Sequence, residues 1–181
     1  MLNKTNNLEK HQSETITFRI GKPILNEIRD EAQNKLKSIN TLVNQIITTY
    51  IVWHKPAKKA GFRYFDTALV LDLINSISEE QIDKIVENHC KVRLKEIILM
   101  LTGENTFSSF IKAIIKWLDV SEFNYKYDTN GNFKTLIIYF NMGRKWSLFY
   151  KSYLQSAIEY YKLIDVSCEM TDNSVIIKTK Y

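Results

Sequence analysis

The chain has 181 residues, 45% hydrophobic and 25% charged, with only five Gly and two Pro. That is enough apolar material for one large or two small packed domains, too much for a disordered chain, and nowhere arranged in the roughly 18-residue apolar run that a membrane span needs. The formal charge of +5 is placed unevenly: residues 1–60 hold ten Lys or Arg against five Asp or Glu, while residues 61–181 hold fifteen of each. The first third of the chain therefore carries the whole excess, which favours a polyanionic partner for that part. The two cysteines, Cys90 and Cys168, show no C-x-x-C spacing and suit reduced thiols in a cytoplasmic protein.

Residues 1–13 form a polar arm with Lys4, Lys10 and His11. It lacks the apolar centre of a secretory signal and reads as a loose terminus. Residues 14–20 alternate strictly, with Ile16, Phe18 and Ile20 on one side and Thr15, Thr17 and Arg19 on the other. This is the period-two pattern of a half-buried strand. A lone strand with an apolar face is unstable in water, and no second strand lies near it in sequence. Its nearest available partner is the same strand of a second copy, so a homodimer paired through residues 15–20 is predicted.

Gly21-Lys22-Pro23 ends the strand, and Pro23 suits the first turn of a helix, where its missing N–H is no loss. Ile24, Leu25, Ile28, Ala32 and Leu36 then recur at helical spacing. Ser38 or Asn40 is the N-cap of a second amphipathic helix carrying Leu42, Val43, Ile46, Ile47 and Tyr50 and running to about His54.

The order strand, helix, short turn, helix over residues 15–55 resembles the MetJ/Arc/CopG-like ribbon-helix-helix family of DNA-binding proteins. The resemblance covers under a quarter of the chain. It implies that two chains pair their strands into an antiparallel ribbon that enters the major groove. It further implies that Thr15, Thr17 and Arg19 touch base edges, and that the N-terminal end of the second helix, at Asn40 and Thr41, holds a phosphate through backbone N–H groups.

Residues 56–61, with Pro56, Gly61 and the lysines Lys58 and Lys59, read as a linker and domain boundary whose two lysines are candidates for phosphate contacts. Beyond it, residues 65–77 are apolar nearly all round and predict a buried helix. Ser78-Glu79-Glu80-Gln81 is a capping box opening a long helix that Gly103 ends, and Thr106 caps a third helix with Phe107, Phe110, Ile111, Ile114, Ile115 and Leu118 on one stripe. The period then changes to two: a hairpin turning at Asn130-Gly131, a helix after Gly143-Arg144-Lys145, and a last hairpin around Asp172-Asn173. The fold class expected is α+β, a ribbon-helix-helix at 14–55 followed at 62–181 by a domain for sensing or oligomerisation, built of about three helices and a ββαββ antiparallel sheet.

No G-x-S-x-G, H-E-x-x-H or P-loop is present, so no enzyme activity is expected. The residues able to bind a metal are His11, His54, His89, Cys90 and Cys168. His89 and Cys90 are adjacent on a helix and point about 100° apart, so neither a metal nor another cofactor is expected. Gly143, Arg144 and Lys145 at a helix start form a candidate site for an anion or effector, set against a plain strand-to-helix turn. The aromatic load of residues 125–161 suits a ligand pocket, a second dimer interface or simple core packing. The reading as a whole is a dimeric, sequence-specific, repressor-like regulator that binds double-stranded DNA. Higher oligomers through the C-terminal part stay open, and no membrane partner is expected. Two other readings stay open: an antitoxin-type autorepressor whose C-terminal domain binds a toxin or other partner, and an enzyme with an appended DNA-binding module.

Overall fold

The computed structural model describes residues 14–130 and 133–180. The arm at residues 1–13 and the expected turn at Gly131 lie outside the described residues. The chain divides into two compact units, Met1–Ile46 and Ile47–Tyr181. That division falls ahead of the linker expected at 56–61, and residues 55–59 are helical. A π-helical turn (Tyr50–His54) follows the second helix, and Lys55–Lys59 then forms a short helix. The helical backbone runs without a break from Ile39 to Lys59, and Pro56, which has no N–H to donate, falls just after the π turn, where the bonding pattern is already shifted; Ala57 and Ala60 are buried.

In the first unit, residues 14–21 carry no regular secondary structure and every one of residues 14–20 is exposed. A ribbon is thus not formed within one chain, and the first strand among the described residues begins at Asn124. Helix α1 (Lys22–Asn34) has Pro23 in its first turn. It closes with Leu36 in the left-handed region at φ 52° and the Lys37 amide donating to the Ala32 carbonyl at 2.8 Å. Helix α2 (Ile39–Thr49) is capped by Ser38, whose Oγ accepts the Thr41 amide at 3.1 Å. Ala32 and Leu42 are the buried hydrophobic residues of this unit among those described.

In the second unit, the short helix Lys55–Lys59 is α3, and α4 (Thr67–Ser76) follows, capped by Asp66. The prediction that this helix is buried is corrected: none of its residues is, and Leu69 and Leu73 stand in the open. Its contacts run to α7, and they leave one side of this largely apolar helix uncovered. Helix α5 (Glu79–Thr102) opens with the expected capping box, in which Ser78 and Gln81 exchange backbone-to-side-chain bonds of 2.8 and 3.2 Å. It ends at Gly103, whose φ of 80° few other residues adopt without strain. Helix α6 (Phe107–Val120) is capped by Thr106.

Strands β1 (Asn124–Asn130) and β2 (Phe133–Tyr139), helix α7 (Arg144–Tyr160), and strands β3 (Val166–Met170) and β4 (Ser174–Lys180) complete the ββαββ order. They make one antiparallel sheet in the order β1-β2-β4-β3, with Leu136 opposite Ile177 and Ile138 opposite Val175. Those four side chains are buried and form the sheet's side of the core. Leu154 and Ala157 of α7, Val86, Cys90, Leu94 and Ile98 of α5, and Phe110 and Leu118 of α6 fill the helical side. Among the described residues no helix is long and apolar enough to cross a membrane.

Candidate functional site

The residues expected to read DNA fall in the two units unequally. Thr15, Thr17 and Arg19 stand exposed on the segment before α1, and Asn40 and Thr41 stand exposed in the first turn of α2. The Thr41 amide is already taken by Ser38, and the two hydroxyls of Ser38 and Thr41 are 2.8 Å apart. Among the described residues the amides of Ile39 and Asn40 have no acceptor, and these are the orphan donors of a helix start. A cation that the sequence reading missed stands just ahead of them: Lys37, whose Nζ donates to Gln45 Oε1 at 3.0 Å. Its position two residues before the helix was a legible signal. Lys58 and Lys59 are exposed on α3, in the second unit.

The apolar side chains around these residues are largely uncovered. Ile16 is 71% exposed, Phe18 55% and Ile24 61%. Ile39, Ile46 and Leu36 are exposed as well. A shallow groove between α1 and α2 is lined by Ile24, Ile28, Leu42 and Ile46, with Glu27 and Glu31 beside them. Glu31 pairs with Lys35 at 2.7 Å across one turn of α1.

At the start of α7 the structure favours the plain turn over the anion site. The Gly143 amide donates to Asn173 Oδ1 at 3.1 Å, which fixes the turn onto the β3–β4 hairpin. Arg144 Nε lies 3.1 Å from Glu79 and its Nη1 3.6 Å from Asp172. Lys145 Nζ donates to the carbonyls of Asn75 at 2.9 Å and Ile77 at 2.6 Å. Both cations are committed to acceptors of the fold itself, and they tie the α4–α5 corner to α7.

The aromatic residues resolve into core packing plus a cavity. Tyr150 stacks on Phe140 and Trp117 with ring centroids 4.5 and 5.0 Å apart. Beside this stack a cavity of about 300 Å³ opens in the second unit, between α5, α6, α7 and the Trp53–Phe62 stretch. Its walls include Ile85, Val86, His89, Ile97, Ile98, Leu101, Phe110, Ala113, Ile114, Phe149 and Tyr153. Burial, and then the charge of Arg93, lower the His89 pKa, so its imidazole is neutral at pH 7. Burial holds Tyr150 and Tyr153 protonated, each further raised by neighbouring groups that include Tyr153 for Tyr150 and Cys90 for Tyr153. Trp53 and Phe62, which flank the stretch that reads as a boundary in sequence, close one wall with ring centroids 5.7 Å apart.

Among the described residues no three His, Cys, Asp or Glu side chains converge as a metal site would require. No protein-family model matches the chain, and no curated protein is similar to it.

Proposed function

We propose that the protein is a dimeric, sequence-specific DNA-binding regulator of the ribbon-helix-helix type, acting as a repressor. The observation that carries this is the state of the first unit in a single chain. It has the apolar inventory of a core, in Ile16, Phe18, Ile20, Ile24, Ile39 and Ile46, yet each of these is exposed. A segment with that many uncovered side chains is completed by a partner surface. The alternation of residues 14–20 and their lack of internal pairing favour a second copy of the same segment as that surface. Pairing would bury Ile16, Phe18 and Ile20 and leave Thr15, Thr17 and Arg19 outward. The net charge of +5 on residues 1–60 becomes +10 in the dimer, which suits a phosphate backbone.

In this reading Arg19 addresses guanine O6 and N7, Thr15 and Thr17 contact neighbouring bases, and the free amides at the start of α2, with Lys37, sit against a phosphate. DNA selected from a random pool, tested by gel shift at two salt concentrations, examines it. Arg19→Ala is expected to cost about 1–3 kcal/mol on the selected DNA and much less on scrambled DNA. Lys58→Ala is expected to weaken both alike and lower the salt slope by about one. Equal losses on both DNAs for Arg19→Ala would mean that the ribbon is not the reading head.

A further inference from the structure

The cavity of the second unit has the size of a small-ligand site and a selective lining. No Lys, Arg, Asp or Glu lines it, and its polar side chains are His89, Tyr150, Tyr153 and two indoles. Buried phenols ordinarily find a hydrogen-bond partner. Tyr125 and Tyr161 have theirs, in Asp119 at 2.8 Å and Asn105 at 3.0 Å. No hydrogen bond among the described residues reaches the hydroxyl of Tyr150 or Tyr153, and neither hydroxyl is sealed off, so both are open to a ligand entering the cavity. Two protonated phenols therefore stand beside an apolar cavity with hydrogen-bonding capacity unused.

We infer that this cavity binds an uncharged, planar, largely apolar small molecule: a fused-ring aromatic carrying one hydrogen-bonding oxygen or nitrogen. The flat shape follows from walls made of Phe110, Trp117, Phe149 and Tyr150, against which a ring system gains offset-stacked and edge contacts. The absence of charge follows from the lining, since an ion would lose its hydration with no counter-charge in return. The single polar group answers the unused hydroxyls. This site stands independently of DNA binding, because every residue that builds it belongs to the second unit.

Titration calorimetry on the full chain with 2-naphthol, naphthalene and 2-naphthalenesulfonate tests it. One equivalent of 2-naphthol is expected to bind saturably, with the sulfonate at least tenfold weaker. Ile85→Trp fills the mouth from a half-exposed position and so leaves the core intact. It is expected to abolish binding. The double variant Tyr150→Phe/Tyr153→Phe is expected to weaken 2-naphthol about five- to tenfold, the size of one or two hydrogen bonds, and to leave naphthalene unchanged. No saturable 2-naphthol binding, equal binding of the sulfonate, or full affinity in Ile85→Trp would each overturn the inference. Undiminished 2-naphthol binding by the double tyrosine variant would overturn the polar half of it.

Discussion

Lys145 donates to the carbonyls of Asn75 and Ile77, which lie at the C-terminal end of α4 and have no further turn of helix to bond them. Lys145→Met keeps the aliphatic stem and removes the charge, so it should lower stability by about 1.5–3 kcal/mol in urea denaturation, the range for hydrogen bonds to charged groups. Arg144→Ala removes only exposed pairs and should cost about 0–1 kcal/mol. Equal costs would mean that the carbonyl contacts contribute little. At Tyr150 and Tyr153 the expected change is much smaller. Among the described residues the buried side-chain polar atom left without a partner is Trp146 Nε1, so neither phenol hydroxyl is sealed from water, and either Tyr→Phe change should move stability by no more than about 0.5 kcal/mol without ligand. A clear loss of stability in both would show that the hydroxyls are bonded after all. The thiols set the response to alkali. Burial pushes Cys90 and Cys168 up to about 11 each. Between about pH 9 and 11 the unfolded chain gives up these protons while the folded chain keeps them, so the stability they contribute is full below pH 9 and is lost as pH rises toward 11. Urea midpoints should thus fall between pH 9 and 10.5, and a Cys90→Ala/Cys168→Ala variant should show a shallower fall.

Three helices, α1, α6 and α7, end in the same turn with an ordinary residue where glycine is usual: Leu36, Glu122 and Lys162, at φ 52°, 55° and 54°. In each, the next amide donates back five residues, to Ala32, Leu118 and Ile158, at 2.8 to 3.1 Å. Holding a side chain in that region costs about 1–2 kcal/mol, against about 0.5–1 for the added freedom of glycine in the unfolded chain. Glu122→Gly and Lys162→Gly should each raise stability by about 0.5–1 kcal/mol, read from thermal midpoints, and a drop in both would disprove the strain argument. At this scale the sequence was a good guide wherever one residue type makes one bond. Ser78 with Gln81, Thr106, Gly103 and the turn at Asn173 behave as read. At residues 55–61 the pattern was harder to read, because Pro56 is carried inside a helix just after a π turn and because two alanines among lysines, Pro and Gly give no sign that Ala57 and Ala60 are buried. The cavity was illegible for another reason: its walls are far apart in the chain, from Trp53 to Tyr153, and only the packing of α5, α6 and α7 brings them together. Since α3 is ordered, limited trypsin should cut first after Arg19, in the irregular exposed segment, and spare Lys58 and Lys59. A first cut at either lysine would restore the linker.

For the molecule as a whole, the alternation of residues 14–20 is plain in the sequence and unpaired in the fold, and in the proposed reading it is paired by a second copy of the chain. The chain is expected to sediment as a dimer at micromolar concentration, and Thr17→Pro, which removes a ladder N–H, should give monomers whose second unit still folds. A compact wild-type monomer with a fully ordered N-terminal unit would refute this. The exposed apolar side chains of the first unit carry one more consequence. If, as proposed, the first unit is completed only between two chains, it obeys mass action, so its melting transition should climb with protein concentration while that of the second unit stays fixed. At low abundance the paired form grows as the square of the number of chains present. Occupancy of a DNA site would then rise more steeply than expression itself, and a cell making half as much of the protein would lose well over half of its paired form.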